Sequence, residues 1–259
     1  MQYSALAGIR WGMTTQSTTL AACLTLALAH AAFAQCDYRL DDGSGGFTIG
    51  PSDFDAVVTW GNYLRPDPGC RWLTSVSVSF PASLPAGTPI TVMVYTDDDG
   101  DGDPTNAVLR SSASHQSVAT TSTTLATYPI RPTEAAEGFF VAVAAFVPQR
   151  QAVARMDQDT LGVDSWLFYD GQLLADLGAA PFILRMADSP FNGTWMVRAA
   201  AVAHACPADL DGDGSLTAFD FLAFQNAFDR QDLLADFDND LDLTVFDFLA
   251  FQNAFDAGC

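Results

Sequence analysis

The stretch DLDGDGSLTAFDFLAFQNAFD, Asp209 to Asp229, returns twenty-seven residues later as DFDNDLDLTVFDFLAFQNAFD, Asp236 to Asp256. Each copy opens with an acidic run that places oxygen-bearing residues first, third, fifth, seventh, ninth and twelfth. Calcium takes about six to eight oxygen ligands, and a twelve-residue loop delivers them at this spacing. The first set is Asp209, Asp211, Asp213, Ser215, Thr217 and Asp220, with Ser215 acting through its backbone carbonyl. The second is Asp236, Asp238, Asp240, Asp242, Thr244 and Asp247. A solvated acidic linker has no reason to repeat an apolar residue at the eighth place, yet Leu216 and Leu243 stand there, as if for a short β contact between the loops. Gly214 takes the sixth place, where the chain turns sharply. The second copy has Leu241 instead. Left-handed backbone costs such a residue on the order of 1 kcal/mol. The second site is therefore expected to be weaker, or its turn different.

The run after each loop reads as a helix. At about 100° per residue, Phe221, Phe224 and Phe228 share one face, with Phe219, Leu222 and Ala223 opposite. The second copy sets Phe248, Phe251 and Phe255 against Phe246, Leu249 and Ala250. One face can pack the two helices together. The other is left for a partner, or for the chain's own body.

A loop followed by one helix, duplicated, resembles a type I dockerin. Cys206-Pro207-Ala208 stands where an EF-hand would have its entering helix, and place twelve holds Asp, not Glu. With Cys206-Pro207 before the repeats and Gly258-Cys259 after them, residues 206–259 are most similar to the GC-type dockerins that end many exported bacterial proteins. The resemblance implies calcium-dependent docking to a cohesin-like or other cell-envelope protein. It assigns recognition to Ala218, Phe219, Gln225 and Asn226, and to Val245, Phe246, Gln252 and Asn253; the apolar stripe adds Leu222 and Leu249. Dockerins often carry polar residues where Phe219 and Phe246 stand, which points away from a standard cellulosome cohesin.

The rest of the chain fits export. The formal net charge of the 259 residues is −20, which disfavours nucleic acid and anionic membranes as partners. LAACLTLALAHAAFA, Leu20 to Ala34, is an apolar run ending in an A-x-A pattern, so residues 1–34 are expected to be a signal peptide and the protein secreted or held at the cell surface. No later run is long and apolar enough to span a bilayer. Four cysteines remain after cleavage, and they admit three pairings; local pairing, Cys36–Cys70 and Cys206–Cys259, is expected. The tail holds twelve Asp and one Arg, so cations must offset self-repulsion for so short a segment to fold.

Residues 35–205 read as an all-β domain, a sandwich or jelly roll, followed by the small α dockerin-like module. AVVTW, WLTSVSVSF, PITVMVYT, EGFFVAVAAF and TWMVRAAAV are short runs rich in β-branched and aromatic residues, separated by Pro, Gly, Asp and Ser. DDDGDGDPTN, Asp97 to Asn106, alternates Asp97, Asp99, Asp101 and Asp103 like a calcium loop, but Val108 stands at its twelfth place. It is the weaker calcium candidate beside an ordinary acidic turn. Trp60, Tyr63, Trp72, Trp166, Tyr169 and Trp195 offer either a sugar-stacking platform or core. No G-x-S-x-G, H-E-x-x-H, P-loop or Cys–His pair is present, and Glu is limited to Glu134 and Glu137. Nothing singles out an acid–nucleophile pair, so the chain reads as non-catalytic. The alternative is a component of a polysaccharide-degrading assembly whose β domain binds or hydrolyses glycan.

Overall fold

The computed structural model describes residues 35–51, 53–67, 69–169 and 174–258. The expected signal peptide and Cys259 lie outside the described residues. Among those described, thirteen strands numbered in chain order pair antiparallel in three sheets, with two α-helices at the C-terminal end. No described helix is long and apolar enough to cross a membrane.

The largest sheet has the order β11 (Phe182–Arg185), β10 (Ser165–Tyr169), β3 (Ala56–Leu64), β8 (Gly138–Val147), β5 (Pro89–Asp97), β6 (Val108–Gln116). The second has the order β1 (Cys36–Tyr38), β13 (Val197–Val202), β4 (Trp72–Val78), β7 (Ala126–Glu134). A three-stranded sheet of β12 (Thr194–Trp195), β9 (Ala154–Asp157) and β2 (Phe47–Ile49) completes a β-sandwich-like body. The four-residue strands β9 and β11 carry Arg and too little alternation to be read from sequence. TWMVRAAAV changes sheet partway: Trp195 pairs with Met156, while Val197 pairs with Val78.

The reason β8 reads GFFVAVAAFV is that it is buried on both sides. Phe139, Val141 and Val143 join the main core with Trp60, Val76 and Trp195. Phe140, Ala142 and Ala144 join a second cluster on the other face with Tyr63, Tyr95, Leu109 and Leu177. Trp60, Tyr63 and Trp195 are thus buried, which removes half of the proposed six-ring stacking platform. Buried Asn62 ties the layers together: its Nδ2 donates to the carbonyls of Trp195 and Val197, and its Oδ1 accepts from Ser165.

At the C-terminal end, α1 (Ala218–Asp229) and α2 (Val245–Ala257) pack through Phe224 and Phe251, whose rings stack with centroids 4.6 Å apart. This is the helix-pairing face expected from the sequence. Leu216 and Leu243 pack onto the same cluster. The expected β contact between them is not formed: the one isolated bridge among the described residues joins Asp67 and Cys70. Apolar packing does the joining instead.

Cys36 and Cys70 form the expected disulfide, closing a separation of 34 residues. Cys206 is also disulfide-bonded. Replacing Cys36 and Cys70 together by Ala is expected to lower stability by about 3–4 kcal/mol, from the loop entropy released to the unfolded chain. Urea unfolding of the double variant measures it.

Candidate metal centre

The first loop is built around two carboxylates. Asp209 Oδ1 accepts the N–H groups of Gly212 and Asp213 at 2.8 and 3.1 Å, and Oδ2 accepts that of Gly214 at 2.8 Å. Gly212 and Gly214 take left-handed φ values of 75° and 83°, which wrap the chain around Asp209. Buried Asp220 binds the other end. Its Oδ1 accepts from Leu210 and Asp211, and its Oδ2 from Thr217 at 2.8 Å. Asp220 is the third residue of α1, and with Thr217 it makes a reciprocal capping box. Place twelve therefore serves the loop and the helix start at once. Thr217, at place nine, is the N-cap, and its hydroxyl accepts the Phe219 N–H at 3.1 Å.

The second loop repeats the frame. Asp247 Oδ1 accepts from Phe237 and Asp238, Oδ2 accepts from Thr244 at 2.7 Å, and Thr244 with Asp247 forms the same box. Carboxylate oxygens of Asp209, Asp211 and Asp220 lie within 4.8 Å of one another, as do those of Asp236, Asp238 and Asp247. Asp213 and Asp240 stand outside those clusters and accept the N–H groups of Ser215 and Asp242, both at 2.8 Å.

The donor chemistry fits a hard cation. Every side chain in the set offers oxygen. A carboxylate has about four lone-pair sites, and three N–H donors to Asp209 or Asp220 leave one for a metal. The like charges also resist one another. Burial, with Asp220, Asp213 and Asp209 nearby, raises the Asp211 pKa above the usual range. Burial raises Asp236 despite bonds from Ser112 and Leu241, and burial with Asp247 and Asp240 raises Asp238. A bound cation relieves both penalties.

The two loops differ in their surroundings. The first is largely exposed, whereas the second sits against the β body and Asp236 is fully buried. Ser112 on β6 donates its hydroxyl to Asp236 Oδ2 at 3.0 Å. Arg131 on β7 donates to the Asp236 carbonyl and to Asn239 Oδ1, and its guanidinium lies 4.3 Å from the Phe237 ring centroid. Burial brings the Arg131 pKa down to about 10, opposed by Asp236, Asp247 and Asp238. Ser114 adds two bonds just before the loop: its N–H donates to Asp232 Oδ1 at 3.3 Å, and its Oγ accepts from the Leu233 N–H at 3.4 Å. Leu241 does adopt a left-handed φ, 69°, and packs against the outer cluster of the body.

The predicted partner residues all stay uncovered. Ala218, Phe219, Leu222, Gln225 and Asn226 on α1, and Val245, Phe246, Leu249, Gln252 and Asn253 on α2, are exposed, with Phe219 at 67% and Phe246 at 63%. The stripe does not dock on the body. Ala250 departs from it and lines a cleft with Trp72 and Pro132.

The turn between β5 and β6 copies the first loop at places one and three to six. Asp97 Oδ1 accepts from Gly100 and Oδ2 from Gly102, each at 3.0 Å, with both glycines left-handed at φ 70° and 84°. Asp97, Asp99 and Asp101 cluster within 4.8 Å. Asp103 instead caps the following turn at Pro104–Asn106. Burial works to raise Asp97, but hydrogen bonds led by Tyr63 and Gly102 bring its pKa below the usual range. A further trio, Asp42, Asp157 and Asp159, escaped the sequence reading because its members lie in distant segments.

No family model matches this chain, and no curated protein matches it. Among solved structures it is similar to the clostridial cysteine protease Cwp84 after propeptide cleavage, at 16% identity and a TM-score of 0.41. That match covers 65% of this chain and 40% of the protease chain.

Asp220→Asn and Asp247→Asn are each expected to lower stability by about 1–3 kcal/mol even in chelator, because a carboxamide has one acceptor oxygen for three N–H donors. Thermal unfolding in EDTA measures this, apart from any effect on metal binding.

Proposed function

We propose that this is an exported, non-catalytic protein whose dockerin-like tail, residues 206–259, binds two calcium ions and docks the β-sandwich to a cohesin-like or other cell-envelope partner. The observation that carries the reading is the pairing of two oxygen-lined loops with an uncovered apolar face. Each loop feeds its place-twelve Asp directly into the N-terminus of a helix, so filling the loop fixes that helix. The face those helices present, centred on Phe219, Leu222, Phe246 and Leu249, is exposed. An apolar patch rimmed by Gln225, Asn226, Gln252 and Asn253 suits a protein partner. The β5–β6 turn is a third calcium candidate, weaker for want of a place-twelve carboxylate.

The two copies offer nearly the same face twice, so a partner can approach in either of two orientations. A second reading, glycan binding by the body, is favoured by a groove of about 510 Å³ lined by Phe47, Phe54, Tyr169, Phe182 and Phe191. Such rings can stack on sugar faces. Binding of residues 35–259 on a glycan array would support that reading.

Calorimetric titration of the oxidised chain with calcium is expected to show two sites in the tail, both abolished by changing Asp209 and Asp236 together to Ala. No binding at millimolar calcium, checked also by far-UV circular dichroism, would defeat the proposal. For the partner face, Phe219→Ala alone is expected to weaken capture from a native cell-envelope extract slightly, and Phe219→Ala with Phe246→Ala to abolish it. Complete loss in the single variant would rule out binding in two orientations.

A further inference from the structure

We propose that the second acidic loop and the edge strands β6 and β7 form one composite cation site, with Ser112 and Arg131 as its positioning residues. Filling the loop and seating it on the body are then a single coupled event. This inference rests on the calcium reading of the tail.

The two loops satisfy their first carboxylate differently. Asp209 receives three donors, all from its own loop backbone: Gly212, Asp213 and Gly214. Asp236 receives two from its loop, Asp240 at 3.2 Å and Leu241 at 3.2 Å, and takes its third from Ser112 in the body. Ser112, from β6, thus brings Asp236 to three donors, on Oδ2, whereas Gly212 in the first copy donates to Oδ1.

The glycines are replaced in the same loop, and each replacement touches the body. Asn239 stands where the first copy has Gly212, at φ 64°, and its side-chain oxygen accepts from Arg131. Leu241 stands where it has Gly214, at φ 69°, and its side chain packs on the outer cluster of Tyr63, Leu109 and their neighbours. In a free loop Leu241 would carry left-handed strain with nothing in return, while Asn239, which tolerates that region, would lack its partner. Seated, the strain is offset by a charge-assisted hydrogen bond and by apolar burial. At both glycine places of the first copy, the replacing residue meets the body.

Charge completes the coupling. Arg131 is buried, and Asp236, Asp247 and Asp238 all act on it. One guanidinium opposes three carboxylates, so the seated loop keeps a negative surplus that a divalent cation neutralises. The cation in turn holds the loop in the shape that presents Asn239 and Leu241. By linkage, seating strengthens calcium binding by the same factor that calcium strengthens seating.

The test uses the chain from residue 35 onward, with Asp211→Ala to silence the first loop. In this background, Ser112→Ala and Arg131→Gln are each expected to raise the calcium Kd on the order of tenfold. Ser112→Ala removes one hydroxyl and is the safer variant for folding; far-UV circular dichroism checks both. With Asp238→Ala silencing the second loop instead, the same changes are expected to leave the Kd within about twofold, well under the coupling expected. A folded Ser112→Ala variant whose second-loop Kd is unchanged would overturn the composite site and leave the calcium reading intact. Binding at the first loop alone would also overturn it. Binding at neither loop would remove the calcium reading itself.

Discussion

Three carboxylates buried without exposure, Asp220, Asp236 and Asp247, constrain the whole C-terminal part of this protein. A buried charge is tolerated only when paired or fully hydrogen-bonded. The chain meets that demand by bending its backbone around each one. Asp220 and Asp247 gather N–H groups from both ends of their loops and cap the helix that follows. The helices then have fixed starting points, and Phe224 stacks on Phe251 between them. Loop, cap and helix pair are one object, and the carboxylates are its centre.

Asp236 is the case that joins this object to the β body. β6 and β7 are the outermost strands of their respective sheets, on the same side of the sandwich. Unpaired strand edges invite association with other chains. Here Ser112 of β6 and Arg131 of β7 direct polar groups into the second repeat, and Ser114 meets Asp232 and Leu233 just before it. The repeat covers the edges, and the edges supply the donors that its buried acid needs. Phe219 and Phe246 stay exposed.

Much of this was legible in the sequence for simple physical reasons. Runs of β-branched and aromatic residues bounded by turn residues marked the long strands, because such side chains fit a packed pleat. Oxygen-bearing residues at fixed places marked the loops, because a cation site of this kind would leave little choice of spacing. The short strands β9 and β11 were not legible; their pairing comes from neighbours in space, not from their own four residues. The aromatic residues misled for a related reason. Trp60 and Trp195 look the same in sequence whether they line a groove or fill a core, and only the packing of two sheets placed them inside.

The sequence by itself determined the repeat, the spacing of its acidic residues and the helix faces, and it favoured the Cys36–Cys70 disulfide among three pairings, since each depends on local spacing or on few alternatives. It also raised, without resolving, the oddity of Leu241 at a glycine place. Tertiary structure decided that. A left-handed leucine is a defect in an isolated loop, but it becomes a contact when the outer cluster of the body lies against it. The partner of Arg131 was equally invisible in sequence, 105 residues from Asp236. Local patterns are written in spacing; which distant charge a buried arginine meets is fixed only when the chain has folded.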